Sequence, residues 1–450
     1  FIDDDPTKKG REIQGVRVLD RCASIGSLAR LLQIQLVLIA IPSASAEQMR
    51  SVVESCQKAA VAFRTLPKVQ DILDGTARST DLRSVELGDL LGRDPVALDW
   101  SSMGRMIRDS KVLITGGGGS IGSELCRQVA RLSPKEVILV EQNEFNLYSI
   151  GLELEEKFPS VCVTKLLGDV CDRVAIRFIF DKHKPEIVFH AAAYKHVPLL
   201  QGQIRETVRN NTVGTMIVSE AAVANNTKTM VLISTDKAVN PTSMMGVSKR
   251  LSEMVVQLNN LPNRTAFITV RFGNVLGSAG SVVPLFERQI QTGGPVTVTD
   301  REMTRYFMTI SEACQLILQA CVLGSGGEIF VLNMGEPVSI DYLARQMIRF
   351  SGKIPEEEIA IEYTGLRAGE KLKEELFHAD ENLAETAYEK ILLATSRSIE
   401  ADRLRQGLGE IESACTQYDY EQVHAIAISL VPEYLATAEV SQTESPTQGA

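Results

Sequence analysis

The sequence predicts an α/β protein whose main unit is a doubly wound parallel sheet, with a smaller C-terminal lobe for a substrate. Two observations carry this reading. Short apolar runs recur with helical segments between them: Lys111-Val112-Leu113-Ile114, Val137-Ile138-Leu139-Val140, Ile187-Val188-Phe189, Met230-Val231-Leu232-Ile233 and Ala266-Phe267-Ile268-Thr269-Val270. Runs without polar alternation indicate strands buried on both faces, as in parallel sheets covered by helices. A glycine-rich turn follows the first run directly and opens a helix.

The front of the chain repeats strand, turn and helix on a smaller scale. Val16-Arg17-Val18-Leu19 reads as a short strand, Leu36-Val37-Leu38-Ile39-Ala40-Ile41 as a buried one, Pro42-Ser43 as a turn, and the stretch through Gln48 to Ala59 as a helix. Val61-Ala62-Phe63 suits a further strand. The spacing predicts a truncated Rossmann-like unit over residues 1–100, and the lack of a glycine fingerprint there favours a structural or oligomerising role. The main unit then spans 101–400. Residues 401–450 are expected to form a helical segment and, from Thr437, a disordered Ser/Thr/Gln/Pro-rich tail.

At 450 residues the chain is long enough for two folded units. A net charge of -10 without a long Lys/Arg block excludes a nucleic-acid surface, because phosphate binding needs clustered positive charge. The eight cysteines form no C-x-x-C pair, so reduced thiols are expected rather than disulfides or a metal site. The longest apolar run is far shorter than the roughly 20 residues that span a bilayer, and there is no signal peptide. Phe1-Ile2 before Asp3-Asp4-Asp5-Pro6 reads as the end of a strand. Upstream sequence, and any membrane attachment within it, is therefore expected to precede Phe1.

Thr115-Gly116-Gly117-Gly118-Gly119-Ser120-Ile121-Gly122 places glycines at 116, 119 and 122, the G-x-x-G-x-x-G spacing. A tight turn lets the backbone approach a pyrophosphate, whose charge is then stabilised by the amides that open the helix. The next strand ends at Glu141, close to the distance of about 20 residues expected of the acid that binds the adenosine ribose diol. That carboxylate would repel a 2′-phosphate and favours NAD over NADP; Arg127 is the nearby counter-argument, but it lies inside the helix. Asp169 and Val170, after the third strand, suit the adenine edge. Ala191, Ala192 and Ala193 offer small residues where the cofactor backbone passes, and Asn211 joins the cofactor set.

The following strand runs into Ser234-Thr235-Asp236-Lys237, and the next helix carries Met245-Gly246-Val247-Ser248-Lys249. In open parallel sheets these carboxyl-end loops face the ligand. With TGGGGSIG, HAAAYKHVPL, STDKAVNPTSMMGVSKR, RFGNVLGS and LRAGEKLKEEL in hand, the chain resembles the large membrane-anchored UDP-N-acetylglucosamine 4,6-dehydratases of bacterial polysaccharide and glycan biosynthesis, within the extended short-chain dehydrogenase/reductase superfamily. The resemblance covers roughly residues 111–380, and more weakly the front of the chain.

The resemblance implies an NAD-dependent lyase acting on a UDP-N-acetylhexosamine. Its members are homo-oligomers held at the cytoplasmic face of the inner membrane by upstream helices. It implies that Asp236 protonates the departing C6 hydroxyl and that Lys237 takes the C5 proton, which requires a neutral Lys237. Thr235 would bond the C4 oxygen, and Lys249 the nicotinamide ribose. Most of the wider superfamily has a catalytic tyrosine where this chain has Met245, and a thioether cannot move protons. On the substrate side, Lys195, His196, Asn274, Ser278, Arg305, Arg367, Glu370 and Lys371 are the candidates, arginine for bidentate phosphate contacts and Glu370 for ribose hydroxyls. Two departures stand out: PGEK reads AGEK here, and Gln201 replaces an acid often found after HVPL-Met. A UDP-sugar 4-epimerase, or a catalytically silent NAD-binding scaffold, are the competing readings.

Overall fold

Each apolar run becomes a strand of one sheet because each is flanked by helices that cover both of its faces. In the computed structural model, which describes residues 1–41, 44–66, 82–83, 85, 87–90, 98–395 and 397–435, the strands are β1 (Lys111–Thr115), β2 (Glu136–Glu141), β3 (Cys162–Leu167), β4 (Ile187–His190), β5 (Thr229–Ile233), β6 (Ala266–Arg271), β7 (Ile329–Leu332), β8 (Leu383–Glu385) and β9 (Ile391–Ala394). Their spatial order is β8-β9-β7-β6-β5-β4-β1-β2-β3. All neighbours from β3 to β7 pair in parallel, and β9 and β8 add an antiparallel margin. The order reverses between β1 and β4, the switch point where ligands of doubly wound sheets bind.

The helices that matter to the site are α1 (Ser120–Arg131), α2 (Glu144–Lys157), α3 (Arg173–His183), α4 (Gly214–Ala224), α5 (Met244–Asn259) and α6 (Ile310–Leu323), with α7 (Ala401–Gln417) and α8 (Tyr420–Leu430) at the end. Strand periodicity sorts the core onto two faces. Val112, Ile114, Val137 and Leu139 pack with α1, α2 and α6 residues such as Leu125, Leu154 and Leu316. Leu113, Ile138 and Val140 turn the other way, against Ile176, Ile217, Val247 and Leu408. Each such side chain contributes about 1.5–3 kcal/mol on burial, which is why these runs tolerate no polar alternation.

The antiparallel margin was not legible in the sequence, because β8 is three mixed residues whose place is set by pairing with β9. The smaller lobe is built from short pairs: Asn274–Val275 with Phe307–Met308, Val296–Val298 with Ile361–Tyr363, and Thr304–Arg305 with Val338–Ser339.

Contact clustering separates a unit of Phe1–Pro95 with Gln346–Ile354 from one of Val96–Arg345 with Pro355–Ala450. In the first, Leu36–Ile39 and Ala62–Thr65 pair in parallel across the helix Ala46–Lys58, whose Ser45 and Gln48 form a capping box. Val16–Arg17, expected as a longer strand, closes a two-residue hairpin with Glu12–Ile13 instead. The Pro42-Ser43 turn and the tail from Thr437 lie outside the described residues. Among the described residues no helix is long and apolar enough to cross a membrane. All eight cysteines are free thiols.

One buried ion network fixes the carboxyl end of the sheet. Arg271 at the end of β6 is fully buried and bonds both oxygens of Glu253 on α5, each at 2.7 Å, and Glu381 at 2.7 Å. Replacing Arg271 with leucine removes the cation that Glu381 pairs with and leaves Glu253 to Arg250 alone, so urea unfolding should show a loss of about 3–5 kcal/mol.

Candidate active site

At the carboxyl ends of β1, β2 and β4 lies a cleft with about 550 Å³ of empty space. Its lining includes Gly116, Gly119, Glu141, Val170 and Ala191, Ala192 and Ala193, joined by Gln142, Asn146, Gly168 and Asn210. The glycines are there for space. Gly116 has φ of +65°, and a Cβ on it would stand 2.8 Å from the Ala192 backbone; one on Gly122 would run into the Gly116 carbonyl. Gly119 caps α1 with no side-chain hydrogen bond, whereas Asn143, Asp172, Ser243 and Thr309 cap α2, α3, α5 and α6 through their side chains. Among the described residues no side chain caps the first turn of α1, which leaves its amides from Ser120 onward for an anion.

Glu141 is held at the floor by two backbone amides, Gly118 N at 3.0 Å and Asn143 N at 3.0 Å. Arg127 is turned away from it and bonds Glu153 through Nε at 2.8 Å and through its second amino group at 2.9 Å. Thr115 is wholly buried and clips β1 to β4, its hydroxyl 2.7 Å from His190 Nδ1. Burial, with the nearby charge of Lys249, pushes the His190 imidazole down to about 3, so it is neutral. Ser120 Oγ accepts from Ala279 N at 3.1 Å, and Ile121 packs on the core.

Asp169 spends one oxygen on Cys171 N and the other on Arg209, leaving its neighbours Gly168 and Val170 on the cleft. Asn211 is likewise engaged within the protein. It accepts from Tyr194 N and donates to Tyr194 O and Ser248 Oγ, while the adjacent Asn210 lines the cleft.

The second half of the site follows β5. Asp236 is 0 % exposed in the 3-10 turn Asp236–Ala238, one residue after Thr235. Its Oδ1 accepts from the Thr235 hydroxyl at 2.9 Å and from Lys237 Nζ at 2.9 Å, and its Oδ2 is buried without a partner. Lys237 also donates to Asn274 Oδ1 at 3.1 Å and lies 3.6 Å from Glu374 Oε1. Burial lowers the Lys237 pKa, but the carboxylates of Asp236 and Glu374 outweigh it and the net shift is upward. Without ligand, then, Lys237 is an ammonium, contrary to the neutral amine that its expected role requires. Met245 is 3 % exposed and packs with Val197, Leu200 and Tyr194, an apolar plug where a phenol would stand.

The substrate-side candidates divide into two groups. Lys195 reaches Ser278 Oγ at 3.3 Å, and its pKa is lowered by burial and by the charge of Lys237, so it faces the catalytic pair. His196 caps the helix Val197–Gln201 and sits against Gly280. Arg367 is exposed, with Glu370 accepting from its backbone N–H at 3.3 Å. Arg305, by contrast, is 7 % exposed and donates to the carbonyls of Thr304, Lys371 and Leu372, so its guanidinium braces the lobe. Lys371 donates to the Val239 carbonyl at 3.0 Å. Gln201 Oε1 accepts from Met244 N at 3.0 Å and caps the start of α5, which accounts for an amide at that place. Sequence reasoning missed Glu374. It sits inside the quoted word LRAGEKLKEEL, but nothing in that word distinguishes it from Glu375, which is exposed.

Strand order, with a glycine cradle at the switch point and a polar loop beyond β5, defines a Rossmann-type doubly wound fold. The chain belongs to the polysaccharide biosynthesis protein family, which it matches over residues 112–396, and residues 1–67 match a CoA-binding domain. It is 46 % identical over 393 residues to the capsular polysaccharide biosynthesis protein CapD of Staphylococcus aureus, covering 87 % of this chain and 65 % of that protein. The chain thus spans less than two thirds of that relative. It is 33 % identical over 287 residues to a UDP-N-acetylglucosamine 4,6-dehydratase (inverting) of Campylobacter jejuni, covering 62 % of this chain and 80 % of the other. The X-ray structure of Pen from Bacillus thuringiensis superposes with a TM-score of 0.59 at 33 % identity, covering 66 % of this chain and 90 % of that one.

Lys249 is 5 % exposed, donates to the Ile233 carbonyl at 2.6 Å, and is lowered by burial from the usual 10.5 to about 8. The unfolded chain holds that proton up to a higher pH, so the burial penalty is full below pH 8 and fades as pH rises toward 10.5. The penalty is on the order of 3 kcal/mol, more than the ~1 kcal/mol of one hydrogen bond. Lys249→Met should therefore raise the thermal unfolding midpoint at pH 7, with the gain shrinking by pH 10.

Proposed function

We propose that this chain carries the catalytic unit of an NAD-dependent dehydratase that converts a UDP-N-acetylhexosamine, UDP-N-acetylglucosamine first among them, to the UDP-4-keto-6-deoxy sugar. The observation that carries the reading is the buried chain from the Thr235 hydroxyl through Asp236 to Lys237 Nζ at the carboxyl end of β5. Elimination needs an acid and a base beside one another, and an epimerase has no use for such a pair.

The cradle fits a dinucleotide: backbone at Gly116 and Gly122 that a Cβ would fill, first-turn amides of α1 from Ser120 onward that the Gly119 cap leaves without a side-chain partner, and Glu141 where a ribose diol is gripped. Ile121, Gly168, Val170, Ala191, Ala192, Ala193 and Asn210 complete the cofactor wall, and Lys249 holds the nicotinamide ribose. NAD bound there supplies the acceptor for the C4 hydride and returns that hydride to C6.

The protons are handled by the chain. The C4 hydroxyl proton passes to the Thr235 hydroxyl while the latter's own proton moves onto Asp236 Oδ1, a 2.9 Å step. Asp236 then gives that proton to the departing C6 hydroxyl, so the acid is loaded by the first step and the water that leaves carries the C4 hydroxyl proton. No phenol is required, which is the physical reason an apolar Met245 is tolerated. Lys237 removes the C5 proton and gives it back after hydride return. Asn274 and Ser278 with Lys195, and Arg367 with Glu370, line the route to the sugar and the uridine diphosphate.

Incubation with NAD and UDP-N-acetylglucosamine should give a product lighter by one water in mass spectrometry. An isobaric epimer, or unchanged substrate, defeats the reading. Asp236→Asn and Lys237→Ala are expected to lose at least ~100-fold in kcat while retaining NAD in equilibrium binding. Met245→Leu should stay within a few-fold of the parent rate, since volume and polarity are kept. Glu141→Ala should weaken NAD binding and narrow the preference for NAD over NADP, read as the ratio of the two Kd values.

A further inference from the structure

We propose that Glu374 is a positioning residue for Lys237: the carboxylate holds the ammonium beside Asp236 and takes its proton when the amine has to act as a base. This rests on the dehydratase reading above and deepens it. Glu374 comes from the turn after Lys371-Leu372, and its side chain is 4 % exposed. Oε1 stands 3.6 Å from Lys237 Nζ and 3.8 Å from Arg305 Nε, and Oε2 is buried with no partner. Arg305 fixes the segment by donating to the Lys371 and Leu372 carbonyls at 2.7 and 3.0 Å. The carboxylate is therefore placed by backbone contacts rather than by a flexible loop.

Charge counting shows why a second carboxylate is needed. Asp236, Glu374 and Arg305 act on Lys237, and Lys195 faces it from the other wall. Lys237 donates to Asp236 Oδ1 and Asn274 Oδ1, and Glu374 Oε1 is its second carboxylate neighbour, an ion pair at 3.6 Å. An ammonium has no lone pair for the C5 proton, so one proton has to leave first. Asp236 is not the recipient, because it is being loaded with the C4 hydroxyl proton. Asn274 is an amide and cannot take it. Glu374 remains: Lys237 ammonium and Glu374 carboxylate become amine and carboxylic acid, with the net charge of the site unchanged. The proton goes back after the cycle. The transfer converts two buried charges into neutral groups, which a site sealed by substrate favours.

Two measurements decide it, on the full chain with NAD. Glu374→Gln keeps the shape and removes the acceptor. With UDP-N-acetylglucosamine its kcat near neutral pH should fall on the order of 100-fold with KM changed only a few-fold. Its rate should climb with pH, because only solvent can then take the proton, and Glu374→Asp should restore part of it. A Gln variant within about 3-fold of the parent, with the same pH profile, overturns the proposal. The second readout needs no turnover. The pH midpoint for acetylation of Lys237 by acetic anhydride, followed by peptide mapping, should drop by about one pH unit or more in Glu374→Gln, since removing a nearby negative charge destabilises the ammonium. An unchanged midpoint overturns the proposal. A parent that leaves the sugar nucleotide intact but shows the shifted midpoint refutes the dehydratase reading and retains the Glu374–Lys237 coupling.

Discussion

The Glu253–Arg271 pair is the constraint on which the active end of the sheet depends. Glu253 belongs to α5, Arg271 ends β6, and the same carboxylate accepts from Ser234 Oγ at 2.6 Å. One ion pair thus locks the loop that carries Thr235, Asp236 and Lys237 to the helix that carries Met245 and Lys249. Burial raises the Glu253 pKa, but Arg271 and Arg250 overcome it and hold the carboxyl near 2, so the lock stays charged at any physiological pH. Arg250 and Arg397 both reach Glu433, so the chain beyond α8 is tied into the same network. Such a network contributes more to geometry than to net stability, because desolvation of its charges offsets much of their attraction.

Held in this way, the loop places charges that would be unfavourable elsewhere. Asp236 is wholly buried, yet one of its oxygens has no hydrogen-bond partner among the described residues, and Glu374 repeats the pattern. A buried oxygen with no hydrogen-bond partner costs about 1–3 kcal/mol, and both carboxylates turn their other oxygen, Asp236 Oδ1 and Glu374 Oε1, to the one Lys237 ammonium. Met245 packs with Val197, Leu200 and Tyr194 and brings no titratable group to the site.

The cofactor half works by subtraction. Glycine at 116 and 122 removes side chains that would collide with backbone, and Gly119 withholds the side-chain cap that α2, α3, α5 and α6 possess. These absences are written plainly in the sequence, which is why the cradle from Gly116 to Gly122, Glu141 and the three alanines could be read without coordinates. Asp169 and Asn211 mark the boundary of that legibility. Each neighbours a cleft residue, but only the packing shows that their side chains are committed to Arg209 and to Tyr194.

The sequence by itself determined the parallel sheet, the dinucleotide cradle and the Thr235-Asp236-Lys237 loop, because each is encoded by local pattern: apolar runs, glycine spacing, and a polar word at a strand end. Tertiary structure alone decided the antiparallel margin of β8 and β9, the bracing role of Arg305 and the approach of Glu374 to Lys237. These depend on pairings that no local pattern records: β9 with β7, Arg305 with carbonyls 66 and 67 positions on, and Glu374 with Lys237. Arg305 looked like a phosphate ligand because sequence records its charge; folding turned that charge onto backbone carbonyls, where the nearest acceptors lay.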